Sequence, residues 1–379
     1  MSGVPVGETG TMRSSWTHTA YPQRIVFGDG AVGELSGLVR DLGARRVLLI
    51  TTEGRLASPE GRRVVGVLGR VLVSTFAGVR SHLPTSVLQQ ALQQVRRDGI
   101  DAVVSFGGGS CVDLGKAVNF FAEQEAGTPG RSPLDRPVVP HVAVPITCSG
   151  AECTGIFGAT DDRTRTKSGA GGPTCTPGTV VYDPSLATSV PAGVQLETAM
   201  NALAHCLEVI YGQRRSPEAE AVAVAGAAAL WEAAPRVADR PGQLGAITDL
   251  LAGACLAGRA LQNGSTGVHH GLAQLLGGRS GIRHGLANAV LLPHTIGFNA
   301  EVAAAELARI GHAVGVDDVP AALGELLVRL GLPTRLRDLD VTEEHLAAVA
   351  RSAQSNPGVR ANPRPVTEDD AAAILAAAW

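Results

Sequence analysis

Along its first half the chain alternates short aliphatic blocks with stretches of helical periodicity. Arg46–Thr51 (RVLLIT), Val71–Ser74, Ala102–Ser105 (AVVS), His141–Pro145 (HVAVP) and Thr179–Tyr182 (TVVY) are rich in β-branched residues, which predicts buried strands. Pro84–Arg97 instead carries Val87, Leu88, Leu92 and Val95 on one helical stripe, with Thr85 or Ser86 placed to cap it. Strand–helix–strand alternation predicts a parallel sheet with right-handed crossovers. After about Pro191 the strand signal stops. Alanine and leucine then recur at helical spacing, interrupted near Gly212, Gly242, Gly264, Gly277 and Gly331–Pro333. The expectation is an α/β domain over residues 1–190 and an all-α domain over 191–379, sharing a broad interface and a cleft. Met1–Tyr21, polar and glycine-rich, reads as a loose N-terminal arm.

Composition narrows the picture. In 379 residues, 45% hydrophobic and 18% charged, there is material for two cores and none of the signature of disorder. A net charge of -3 leaves no electrostatic footprint for nucleic acid or an anionic membrane. Apolar stretches such as Ala219–Leu230 contain Glu or Gly and read as too short for a bilayer span. No apolar run resembling a signal peptide opens the chain, which predicts a cytoplasmic protein. Six scattered cysteines without a CxxC pair read as buried thiols of a reducing compartment. Of the 32 basic residues only Lys116 and Lys167 are lysines.

The first candidate for chemistry is Asp101–Lys116, which runs from a strand through Gly107, Gly108, Gly109 and Ser110 into a helix. Glycines let the backbone approach a pyrophosphate, and a helix N-terminus offers free N–H groups and a positive dipole end. The order of glycines is not the G-x-G-x-x-G fingerprint. At the end of the first strand Thr52 occupies the place where an acidic residue would grip a ribose diol. With Glu53 beside it, the choice between NADH and NADPH stays open.

Three helical segments carry the second candidate. Asn201 and His205 lie four apart, as do His270 and Gln274, so each pair shares a helical face; His284 follows Arg283 and precedes a glycine. His269 and His294 read as structural imidazoles.

These motifs together resemble the iron-containing alcohol dehydrogenase superfamily, from about Phe27 to the C-terminus. GGGS-x-x-D-x-x-KA, here Gly107–Ser110, Asp113, Lys116 and Ala117, is similar to the family's pyrophosphate turn. Pro145–Thr154 (PITCSGAECT) resembles its nicotinamide-side loop, in the shorter form of the maleylacetate reductase subgroup. The resemblance implies cofactor contacts at Thr147, Cys148, Ser149 and Thr154, and at Lys167 near the nicotinamide ribose. It also places His205, His270 and His284 at the three histidine-ligand positions of the family's divalent metal. Asn201 stands where the family has Asp, and Gln274 where it has a non-ligand His. An amide oxygen is a weak ligand beside a carboxylate, so a metal is not expected, although three histidines alone can hold zinc. Met200–Ala202 and His269–His270 match the maleylacetate reductase pattern, as does Asn362–Val366 (NPRPV). Asp113 departs from it, since that subgroup often has Gly there, and so does Gln274.

The resemblance implies an NAD(P)H-dependent reductase of a small, carboxylate-bearing oxo-enoate such as maleylacetate, in aromatic-compound degradation, and a homodimer. Without an anion-anchored metal, the oxyanion is expected to be met by imidazolium groups of His205, His270 and His284. Mutual repulsion is expected to depress their pKa values, and a dicarboxylate to restore them. Arg283 reads as a surface residue within reach of a substrate carboxylate. The alternative is a carbonyl reductase or alcohol dehydrogenase for another small oxo acid or aldehyde, with Gln274 marking the change. Two further alternatives stay open: a dehydroquinate-synthase-like lyase, which needs several substrate-binding lysines, and a non-catalytic cofactor-binding protein.

Overall fold

The computed structural model describes residues 15–164 and 167–379. The first fourteen residues of the expected arm and the side chain of Lys167 lie outside the described residues. The strands in chain order are β1 (Arg24–Phe27), β2 (Val47–Ile50), β3 (Leu72–Phe76), β4 (Ala102–Gly107), β5 (His141–Pro145), β6 (Ile156–Thr160), β7 (Lys167–Gly171) and β8 (Thr179–Tyr182). Six form a parallel sheet in the order β1-β8-β5-β4-β2-β3, while β6 and β7 make an antiparallel hairpin. Strand β2 has β3 on one side and β4 on the other. The loops leaving β2 and β4 therefore bound a topological switch point, the usual position of a ligand crevice in such sheets. From Ala192 onward every regular element is helical.

Why the strands read clearly is visible in their two faces. Within β2, Val47 and Leu49 belong to a core shared with the helical half, whereas Leu48 and Ile50 face a second core under the helix Thr85–Arg97. Both faces are dry, so no polar alternate survives. β1, a four-residue edge strand, and the glycine-rich β6–β7 hairpin lack that signal and were not predicted.

Three local expectations are corrected. The helix Thr85–Arg97 is not capped by its own Thr85 or Ser86. Asp162 from the β6–β7 connection accepts from Ser86 N at 2.7 Å and Thr85 Oγ1 at 2.9 Å. The described part of the arm is tied down: Asn263 brackets Thr19, its side chain bonding both Thr19 N and Thr19 O, and His18 reaches Ser216. By length and composition the helices Pro217–Asp239 and Leu244–Gln262 do reach a membrane span. In this fold they pack closely on one another instead. A Cβ on Gly253 would lie 2.9 Å from Leu230, and one on Gly226 would lie 3.1 Å from Ala257 N. All six cysteines are free, five of them buried.

Helix Gly109–Glu125 lies directly on β5. A Cβ at Gly115 would come within 2.4 Å of the His141 ring, which bonds Ser105 at 2.7 Å beneath it. Burial, with the Lys116 charge behind it, pushes the His141 pKa down to about 3. The unfolded chain takes up a proton at this residue near pH 6.5 and the folded chain does not, so its contribution to stability is lost as pH falls below that value. In urea unfolding between pH 7 and pH 5.5, His141→Gln should remove about 1.3 kcal/mol of the wild-type decline. An unchanged pH dependence would contradict the burial of a neutral ring.

Candidate active site

A cleft of about 1760 Å³ separates the carboxyl ends of β2, β4 and β5 from the helical half. On its sheet side stand Thr52, Gly108, Gly109, Ser110, Asp113, Thr147, Ser149 and Thr154; opposite them are Asn201, His205, His270, Gln274, Arg283 and His284. The segments singled out in the sequence thus meet in one place, with two exceptions. Cys148 is buried in the main core, its backbone N–H donating to Thr198 Oγ1 at 3.2 Å, so its thiol does not reach the cleft. Gly107 (φ 148°) sits behind the turn, where a Cβ would meet Cys111 Sγ at 2.6 Å. It shapes the turn from behind the lining.

The glycine turn has the shape and polarity that a pyrophosphate requires. Gly108 is the N-cap of the seventeen-residue helix Gly109–Glu125, with no side chain capping its first N–H groups. A Cβ on Gly109 would come within 3.1 Å of Ser149, and one on Gly108 within 3.4 Å of Thr147 Oγ1, a buried hydroxyl without a partner. An anion placed there meets unpaired amides at the positive end of a helix. Lys116, one helical turn on, is completely buried and donates to Asp113 (3.2 Å), Thr154 Oγ1 (3.3 Å) and Ile156 O (2.8 Å). It binds the turn's helix to the loop that carries Thr147 and Ser149. Thr52 caps the short helix Glu53–Ala57, its hydroxyl accepting from Arg55 N at 3.3 Å.

The histidines come from three helices. Asn201 and His205 project from Ala192–Tyr211, His270 and Gln274 from Val268–Ser280, and His284 opens His284–Asn299. The rings of His205 and His270 lie 4.6 Å apart and nearly parallel, and His284 is 6.3 Å from His270. Burial lowers the His205 pKa well below its ordinary value; the neighbouring imidazoles act in the same direction but second. Repulsion was expected to lead, and desolvation does. Asn201 Nδ2 donates to Ser149 O at 3.3 Å, joining the two walls, while Asn201 Oδ1, His205 Nδ1 and His270 Nε2 are buried without partners. Gln274 is exposed to the cleft and accepts from Asn356 Nδ2 at 3.3 Å. Arg283 approaches the buried carboxylate of Glu197 at 3.1 Å, too obliquely for a hydrogen bond. His269 bonds Thr295 and Asn288 through its two ring nitrogens and lies outside the cleft lining.

Sequence reading overlooked Glu208 and Glu197. Glu208, completely buried, takes His270 Nδ1 on one oxygen at 2.5 Å; the other accepts Gly267 N at 2.8 Å and His269 N at 2.9 Å. Its spacing was a signal in plain view, since positions 201, 205 and 208 share one helical face. The NPRPV segment also finds a place. Asn362 Oδ1 accepts from Val268 N at 3.2 Å and exchanges bonds with Asn299, and Arg364 stacks on Phe298. It holds the start of the His270 helix.

Residues 22–184 match the iron-containing alcohol dehydrogenase family model, and residues 195–379 match that of the C-terminal region of the Fe-containing alcohol dehydrogenase family. The maleylacetate reductase of Burkholderia cepacia is 33% identical over 94% of this chain and 95% of its own. Maleylacetate reductase 2 of Cupriavidus pinatubonensis is 35% identical, covering 95% of each. The crystal structure of the Agrobacterium tumefaciens maleylacetate reductase superposes with a TM-score of 0.86 at 32% identity, covering 97% of this chain and 99% of that one. The chain belongs to the iron-containing alcohol dehydrogenase family and is an oxidoreductase. Within that family its resemblance is to the maleylacetate reductases.

The family's name poses the question of a divalent ion at the histidines. The donors present do not suit an anchored cation. Position 201 offers an amide, and both oxygens of Glu208 are already engaged, one by two backbone amides and the other by the His270 ring. Among the described residues no three His, Cys, Asp or Glu side chains are placed to hold one.

The turn itself is testable. Gly109→Val should raise the Kd for NADH, read by fluorescence titration, by about tenfold or more, which is about 1.4 kcal/mol or greater. Unchanged affinity would mean that the phosphates bind elsewhere.

Proposed function

We propose that this protein is an NAD(P)H-dependent reductase of small oxo-enoate dicarboxylates of the maleylacetate type. The observation that carries the reading is the convergence, in one cleft, of an uncapped glycine-turn helix and a histidine cluster whose accompanying side chain is Asn201. The reading also draws on maleylacetate reductases at about a third identity over nearly the whole chain. A role in aromatic-compound degradation, a cytoplasmic location and a homodimer accompany this reading through the same resemblance.

A nicotinamide dinucleotide, held by Gly108–Ser110, Thr147 and Ser149, supplies the hydride. Hydride adds to the alkene carbon β to the ketone, the carbon–carbon π bond breaks, and the electron pair moves onto the carbonyl oxygen as an enolate. The chain's task is to hold that oxygen and return a proton to the α carbon. His205, His270 and His284 line the helical wall of the cleft together with Asn201 and Gln274. A dicarboxylate favours a protonated His205 against the desolvation that depresses it. Because Asn356 Nδ2 occupies Gln274 Oε1, the Gln274 Nε2–H is left to donate into the cleft, suited to a substrate oxygen.

Mixed with maleylacetate, the protein should oxidise NADH or NADPH with one equivalent per substrate, at a rate unaltered by chelator. No oxidation with either cofactor would overturn the reading. Activity lost on chelation and restored by a divalent ion would overturn the metal-independent mechanism. Gln274→Ala should raise KM about tenfold by removing one hydrogen bond to a charged group; an unchanged KM would remove Gln274 from the substrate site.

A further inference from the structure

We infer that Glu208 is a positioning residue that fixes His270 as the Nδ1–H tautomer and turns its Nε2 towards the cleft as the proton-carrying atom. The role attributed to the proton rests on the reductase reading; the tautomer does not.

The assignment follows from counting donors. Glu208 Oε1 accepts from two backbone amides, Gly267 N and His269 N, which can only donate. Oε2 lies 2.5 Å from His270 Nδ1. A carboxylate presenting only acceptors must receive a hydrogen at that contact, so the hydrogen is on Nδ1. Nε2 is then the atom left for other partners, and it is buried with none among the described residues. Three features make the arrangement rigid. Glu208 shares a helical face with Asn201 and His205, so one buried helix places all three. It also sits at the positive end of helix Val268–Ser280, where its charge is favoured. Finally, Gly267 leaves no room for a side chain: a Cβ there would lie 2.7 Å from Asn362 Oδ1 and 3.1 Å from Glu208 Oε1.

The arrangement has the logic of a buried acid that orients an imidazole and balances its charge when it is protonated. A protonated His270 gives its Nε2 proton to the enolate carbon; the ring remains neutral with Nδ1–H still on Glu208, and solvent restores the proton. Among the described residues His205 has no such carboxylate, and its Nδ1 is unpartnered.

The variant Glu208→Gln separates tautomer from scaffold. Its amide oxygen can still accept from Gly267 N and His269 N, but its NH2 faces Nδ1 as a donor and forces the hydrogen to Nε2. We expect kcat to fall by about 10² to 10⁴, with KM and the NADH Kd within about twofold, and Glu208→Asp to recover part of the loss. Nitrogen-15 spectra of histidine-labelled protein, assigned with His270→Gln, should show a protonated Nδ1 in the wild type and a bare one in Glu208→Gln. A wild-type spectrum with hydrogen on Nε2 alone overturns the inference, even if the variant fails to fold. So does a folded Glu208→Gln variant that keeps wild-type kcat. Should the protein reduce no oxo acid, the reductase reading fails while the spectra still decide the tautomer.

Discussion

A helix from which water is excluded must find partners for its polar side chains inside the protein, because each unpaired group costs on the order of 1–3 kcal/mol. The Ala192–Tyr211 helix is such an element, and its buried residues include Gln195, Glu197, Asn201, His205 and Glu208. Gln195 donates to the carbonyls of Ile146 and Ala187, and Asn201 to that of Ser149. These bonds fasten the helix to the carboxyl end of the sheet. Glu208 is satisfied from the other side, by the start of the His270 helix. Among the described residues several side-chain atoms of this helix are left without hydrogen-bond partners. Gln195 Oε1 and Tyr211 Oη lie away from the cleft, whereas Glu197 Oε2, Asn201 Oδ1 and His205 Nδ1, with His270 Nε2 nearby, belong to residues that line it. In a well-paired interior, polar atoms left over in one place mark where a ligand is expected.

The same helix explains the electrostatic character of the site. The glycine turn offers an anion-binding end without a side-chain cap, and the wall facing it carries imidazoles and amides. The carboxylates near that wall are turned to other work: Glu208 to backbone amides and a ring nitrogen, Glu197 to Arg283. A dianionic substrate of the proposed kind, entering beside a dinucleotide phosphate, would meet Glu197 as the buried carboxylate of that wall, with Arg283 at 3.1 Å from it. Lys116 sits behind the turn, where it joins helix Gly109–Glu125 to the Thr154 loop.

Much of this was legible before the structure. Strands buried on both faces leave uninterrupted aliphatic runs, and β2, β4, β5 and β8 were placed within a residue or two. The glycine turn and the histidine segments stood out by residue type and spacing, and the structure brings them to one cleft. What escaped depends on distant partners. The cap on helix Thr85–Arg97 comes from Asp162, and the arm is held by Asn263; neither is encoded nearby. Cys148 lies in the loop Pro145–Thr154, yet its neighbours point the other way: Thr147 and Ser149 line the cleft while the thiol lies in the core. Glu208 escaped because a glutamate inside an apolar helix reads as surface until its partners are known.

In the proposed reading the glycine turn and the imidazole cluster serve one bound ligand pair. A crystal structure of the protein with NADH and an oxo-dicarboxylate tests this most directly. The pyrophosphate should rest on the amides of Gly108–Ser110, and the substrate carbonyl oxygen should lie within hydrogen-bonding distance of the cluster formed by His205, His270 and His284. A pyrophosphate bound away from that turn, or a substrate carbonyl remote from all three rings, would contradict it.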